Sequence, residues 1–288
     1  MPNRIFYACQ AVSVDGAAVH GAQSVGITTS FDLEPVFQLG QVKPVEIMTI
    51  SPNVEITVSR TLTSQNSTIW SGDFITNVGT ANKTICIAIG DDTAPLLTSN
   101  LAQIYCTGAG ISGVTYTFPV DGVFTEEVTF VAQHKQIGGC GISISEDTTS
   151  QAKTRQYYSS GAPSLVTSAG NLTNITISAS INRENLFKLG QWQSYHNYPN
   201  LPAEVTVEFE VSATSLDGVG ITTVASCASP TGGAFDPQDI TLDICGKTFT
   251  MEKCKLSSVT YGGGDTGGGN ATINFTYTTY NSLEVTYQ

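Results

Sequence analysis

Asp265 stands in the run Gly262-Gly-Gly-Asp-Thr-Gly-Gly-Gly-Asn270, and Asp-Thr-Gly is the triplet with which aspartic proteases present a carboxylate. That chemistry needs two carboxylates sharing a proton and an apolar strand to hold them; here glycines flank the triplet and the sequence has no second copy. One acidic residue also supplies too little oxygen ligation for calcium in the same loop. His20, His134 and His196 are isolated, without the paired spacings that bind zinc. Asp91-Asp92 reads as a solvated turn at a helix start. No GxSxG elbow, no GxxxxGK[ST] loop and no GxGxxG after a strand is found. These residues lead to a protein that is not an enzyme, with no catalytic residue, no metal and no cofactor.

Seven cysteines, Cys9, Cys86, Cys106, Cys140, Cys227, Cys245 and Cys254, form no CxxC pair, which speaks against a zinc site. Buried free thiols, packed as small hydrophobes, are one reading and disulfides the other. Six Asn-X-Ser/Thr triplets begin at Asn66, Asn82, Asn171, Asn174, Asn270 and Asn274. They follow from a composition rich in Asn and Thr, because the start of the chain has no apolar run of signal-peptide length.

The elements that would carry these residues are strands. Of 288 residues 40% are hydrophobic and only 12% charged, enough for a real core. Ser, Thr, Val, Ile and Gly dominate, no long stretch has a helical apolar period, and no run approaches the length of a membrane span. The net charge is −12, with 13 acidic to 5 basic residues in 1–150 and 11 to 7 in 151–288. Such a chain repels free nucleic acid, whose nonspecific binding runs on Lys and Arg contacts to phosphate.

The chain repeats itself. In Ile27-Thr-Thr-Ser-Phe-Asp-Leu-Glu-Pro-Val-Phe-Gln-Leu-Gly-Gln41, residues Ile27, Ser30, Glu34, Phe37, Leu39, Gly40 and Gln41 recur 150 positions later as Ile177, Ser180, Glu184, Phe187, Leu189, Gly190 and Gln191. Chance gives about two matches over such a window. Pro52 meets Pro202, and after a one-residue gap Glu55, Thr57 and Val58 meet Glu204, Thr206 and Val207. Val54–Val58 and Val205–Val211 alternate as half-buried strands, Ile85–Ile89 and Ile240–Ile244 give another strand each, and Val-Tyr alternation recurs in Val114-Thr-Tyr116 and Val259-Thr-Tyr261. Cys86 and Cys245 then fall in corresponding strands, and Cys106 and Cys254 both precede the Val-Thr-Tyr strand. All four are candidates for an equivalent bridge in each copy.

A boundary falls in the polar, Gly-Ala-Pro-interrupted stretch 147–170, which divides the chain into modules 1–150 and 151–288. Ala94–Ile104, with acidic residues before it and Pro in its first turn, is the predicted short helix. Val114–Val131 reads as two alternating runs meeting at Asp121-Gly122, a hairpin that is marginal alone and must find further partners.

The run Gly21–Gln41, with Pro52–Val58 and Val114–Phe130, resembles tail tube proteins of tailed bacteriophages and related structural virion proteins. The likeness covers most of the first copy and the first third of the second; Gly262–Gly269 stands where a clean Asp-Gly hairpin would be expected. The resemblance implies a mostly β fold of two tandem tail-tube-like modules, each a β-sandwich or barrel of two packed antiparallel sheets with a short helix. It implies homo-oligomeric rings of six modules, stacked into a tube assembled in the bacterial cytoplasm and carried in the virion, with other tail proteins and a sheath as further partners. Double-stranded DNA would pass through without specific binding, and no membrane is involved. A duplicated chain would build the ring from three copies as a pseudo-hexameric trimer; six complete chains, with the second module outside, is the alternative. Asp121, Gly122, Glu126 and Glu127 are the candidate lumen or ring-contact residues. The rival reading is a secreted β-sandwich adhesin or carbohydrate-binding module, argued from Thr-rich strands and the sequons.

Overall fold

The computed structural model describes residues 10–63, 69–78, 82–90, 102–139, 151–213, 236–263 and 271–287. The fold is mostly β and antiparallel. In the first half the strands are β1 (Gln10–Val14), β2 (Ala17–Ala18), β3 (Ala22–Val36), β4 (Glu46–Thr61), β5 (Gly72–Asp73), β6 (Lys83–Ile89), β7 (Ala102–Pro119), β8 (Thr125–Ala132) and β9 (His134–Ile137). In the second they are β10 (Tyr158–Ser160), β11 (Gly170–Leu186), β12 (His196–Ala213), β13 (Gln238–Ile244), β14 (Lys247–Gly262), β15 (Thr272–Thr279) and β16 (Glu284–Tyr287).

Eight of these strands lie side by side in the order β3-β4-β8-β7-β11-β12-β15-β14, so the first four and the last four repeat one arrangement. The ladders align the halves in detail. Val114 faces Val128 and Val259 faces Phe275; a bulge at Ile111/Gly113 recurs at Leu256/Ser258. The two Val-Thr-Tyr segments are therefore the same piece of strand. Three residues before each bulge, Gly108 (φ 62) and Lys253 (φ 54) make the same left-handed kink. It turns β7 and β14 out of the long sheet into smaller sheets, where β7 joins β6 and β9, and β14 joins β13 and β16.

The long hairpins β3–β4 and β11–β12 end in matching turns. Gln41 N–H donates to Gln38 O (3.1 Å) and Gln191 N–H to Lys188 O (3.2 Å), with Gly40 and Gly190 at φ 89 and 86. A side chain rarely adopts that backbone, so the repeated Leu-Gly-Gln is turn chemistry. The stems correct one alignment. Val25 faces Val58 and Ile175 faces Phe209, so Val58 corresponds to Phe209 and not to Val207. The slip is two residues, which leaves every side chain on its own face and so is invisible to alternation.

Other expectations are corrected too. Of the predicted helix Ala94–Ile104, residues 102–104 begin strand β7, and the remainder lies outside the described residues. The α-helices among the described residues are α1 (Phe74–Val78), where Asp73 accepts N–H bonds from Ile75 and Thr76, and α2 (Ser164–Ala169). Within the boundary stretch, Ala152 and Thr154 bridge to the first half, at Thr63–Ala152 and Val123–Thr154. The hairpin expected about Asp121-Gly122 is found as β7–β8, its connection running over five residues, Val120–Phe124.

One apolar cluster takes residues from both halves. Phe249 of β14 meets Tyr116 and Phe118 of β7 edge to face, at 4.9 and 5.6 Å between ring centroids. Strand β16 extends the interlock by pairing with β5. The second half's small sheet thus covers the first half's part of the long sheet.

Candidate functional site

The alternation that buries Val54, Ile56, Val58, Val128, Phe130, Val205, Val207 and Phe209 turns their neighbours to the other face of the long sheet. That face carries Thr57, Thr115, Thr117, Thr129, Thr176, Ser178, Thr206 and Thr276 among others, together with Glu55, Glu127, Glu204, Glu208 and Glu210. Basic groups are few on it: Lys255 and, over Gly110, the Arg183 guanidinium. Hydroxyls and carboxylates offer phosphate no cationic grip.

The sheet is open at both ends. Strand β3 pairs only with β4, and Lys255–Gly262 of β14 only with β15, among the described residues. The exposures register the missing neighbour: Tyr116 in the interior is 0% exposed and its counterpart Tyr261 is 53% exposed.

The proposed lumen and ring residues separate. Asp121 is 89% exposed in its side chain, 3.7 Å from Arg155, and Gly122 is exposed beside it. Glu127 is exposed on the sheet's open face. Glu126 is corrected: it is fully buried, faces the core and accepts bonds from Arg60 Nε and, at 2.8 Å, from the Tyr116 hydroxyl. Lys247 of β14, also buried, lies over the Tyr287 ring at 4.9 Å. Burial pulls the Lys247 ammonium below its ordinary range, against the attraction of Glu126. Burial pushes the Tyr116 hydroxyl well above its own, and the Glu126 charge adds to the push. Sequence reasoning missed Arg60 and Lys247; their only signal was a basic residue at an inward-pointing strand position.

The cysteine expectation is corrected as well. Cys106, Cys245 and Cys254 are free thiols, and Cys86 is disulfide-bonded, so none of the four candidates bridges another. Asp265 and Asp91-Asp92 lie outside the described residues. The GxGxxG spacing at Gly108-Ala-Gly-Ile-Ser-Gly113 falls inside β7, at its kink and bulge, and is followed by more strand and not by a helix. Among the described residues no three His, Cys, Asp or Glu side chains gather as metal ligands.

Both hairpins project as arms with apolar surface. On the first, Phe31, Leu33, Val36, Phe37, Leu39, Val42, Val45, Ile47, Met48 and Ile50 are exposed, Leu39 and Val42 almost wholly. On the second, Phe187, Leu189, Trp192, Tyr195, Tyr198 and Leu201 are exposed. Patches of this kind mark places where another surface docks. No protein family matches this chain, and no curated protein is similar to it.

Proposed function

We propose that this chain is a structural subunit that joins copies of itself edge to edge into stacked rings, forming a phage tail tube through which double-stranded DNA passes. The observation that supports it is the β7–β11 junction. There Gly113–Pro119 pairs with Asn174–Ser180, joining the two sets of strands inside one chain. The same junction has unfilled counterparts at the sheet's two ends. Carried over by the ladder correspondence, it sets Ser258 opposite Ser30, Val259 opposite Thr29, Thr260 opposite Thr28, Tyr261 opposite Ile27 and Gly262 opposite Gly26 of the next copy. Closure of such a series into a ring removes the edges that otherwise invite aggregation. Two modules per chain, divided near residue 150, give a pseudo-hexameric trimer. The acidic and hydroxyl face becomes the lumen wall, where DNA slides without sticking. The tail of the virion is then the protein's site, with other tail proteins as further partners.

Negative-stain electron microscopy of the purified protein, with the mass of any ring, tests this reading. Hollow rings of three chains are the expected result; rings of six chains would overturn the trimer, and a persistent monomer the conduit itself. The exposed aromatics Phe187, Trp192, Tyr195 and Tyr198 favour a second reading, a sugar-binding β-sandwich, since sugars stack on such rings. A monomer retained on a glycan array through those residues would establish it.

A further inference from the structure

The two arms share a turn and a stem, and the second is seated on the first half of its own chain. Arg183 Nε donates to Ile111 O (2.6 Å) and Arg183 Nη1 to Asn197 Oδ1 (2.6 Å). The guanidinium fills the space over Gly110, where a Cβ would lie 2.0 Å from Nη1. Further out, Trp192 and Gln193 line a groove with Phe31, Pro52, Val54 and His134, and Gln193 Nε2 is 3.4 Å from His134 Nε2.

The ladder names the counterparts. Leu33 faces Thr49 as Arg183 faces Pro199, so Leu33 stands for Arg183. Gly110 faces Val131 as Lys255 faces Thr278, one residue before each bulge pair, so Lys255 stands for Gly110. The Arg-over-Gly pair inside the chain is thus answered by a Leu and a Lys at its ends. Leu33 is 62% exposed and Lys255 is exposed, as residues awaiting each other would be. The neighbours agree in charge. Asp32 and Glu34 flank Leu33, and Lys253 lies two residues from Lys255; all are exposed.

We propose that the first arm, Phe31–Ile50, docks on the neighbouring copy across β14–β15. Leu33 covers the stem of Lys255, and the Lys255 ammonium reaches Asp32 or Glu34. This rests on the assembly reading, since it needs a second copy whose β14 lies beside β3. A register shift that sets Leu33 elsewhere loses both the cover on the Lys255 stem and the ion pairs.

The test measures the concentration for half-assembly, by sedimentation, for the parent, Leu33→Arg, Lys255→Gly and the double variant, with monomer melting curves as the folding control. Leu33→Arg sets two cations together without a slot and raises that concentration at least about tenfold; Lys255→Gly raises it less. The double variant rebuilds the internal Arg-over-Gly pair and returns to within about threefold of the parent. Normal assembly of Leu33→Arg, or no recovery in the double variant, overturns this docking while leaving the tube reading intact. A parent protein that stays monomeric at every concentration overturns both.

Discussion

Arg60, Glu126 and Tyr116 form a buried polar unit whose counterparts in the second half, by the same ladders, are Val211, Ile273 and Tyr261. Each charge is tolerated in the core only because the other is there. Arg60→Val alone leaves the Glu126 carboxylate without its main partner and should cost about 3–5 kcal/mol in chemical denaturation. Adding Glu126→Ile, the residues the second half uses, should recover most of it, less about 1–3 kcal/mol for the Tyr116 hydroxyl that loses its acceptor. A double variant no more stable than Arg60→Val would show that the two side chains do not compensate each other.

The same burial sets a pH dependence. Burial pushes Cys106 and Cys245 up to about 11 and Cys254 up to about 12, and raises the Tyr116 and Tyr287 hydroxyls too. A raised folded-state value holds its stabilisation below the unfolded value and loses it as pH rises past that value. Lys247 and Arg183, both lowered by burial, act in the opposite sense but are outnumbered. The melting temperature should therefore hold to about pH 8.5 and fall steadily from about pH 9 to pH 11. A flat profile to pH 11 would mean these groups are not held in the folded core. Lys253, left-handed where its counterpart is Gly108, is a strained position with its N–H bonded to Asp239 Oδ1 at 2.9 Å. Lys253→Gly should be neutral or stabilising by up to about 1 kcal/mol in the same denaturation assay, and a clear loss would show no strain there.

At the scale of elements, the edge strands hold the sheet's unsatisfied potential. Tyr261 is the probe, because its ring points to the core side yet is half-exposed at the β14 edge. Tyr261→Lys places an inward-pointing charge there, the device by which edge strands resist pairing. The monomer should keep its melting temperature, and the half-assembly concentration should rise more than about tenfold. Assembly unaffected by this change would remove β14 from the ring contact. The elements themselves were largely legible: alternation marked β4, β7, β8 and β12, and the shared Val-Thr-Tyr and Leu-Gly-Gln fixed corresponding strands and turns. The register within the long hairpins was not. A two-residue slip preserves the face of every side chain, and only the bulges at Phe31/Leu33 and Ser180/Asn182 decide it. The helix placed at Ala94–Ile104 failed at its end because local capping signals say nothing of a strand such as β6 that offers a ladder to residues 102–104.

At the scale of the whole molecule, the acidic balance has a place to act. Glu127, Glu204 and Glu208 are exposed on one face. Replacing all three by Lys should leave assembly intact while assembled tubes gain salt-sensitive binding to double-stranded DNA and release it more slowly. Equal DNA binding by parent and variant would remove this face from the lumen.

The sequence by itself determined the β class, the duplication and most inward-facing positions, because apolar alternation and turn chemistry are local. Glu126 was legible only as a charged residue beside a hairpin. Its burial goes with Arg60 on β4, the charge that pairs it, and with the small sheet of the other half, which brings Lys247 near it. The open edges at β3 and β14 were likewise decided only by the tertiary structure. Which strand lacks a neighbour depends on how all eight strands are ordered, and no single strand's pattern carries that order.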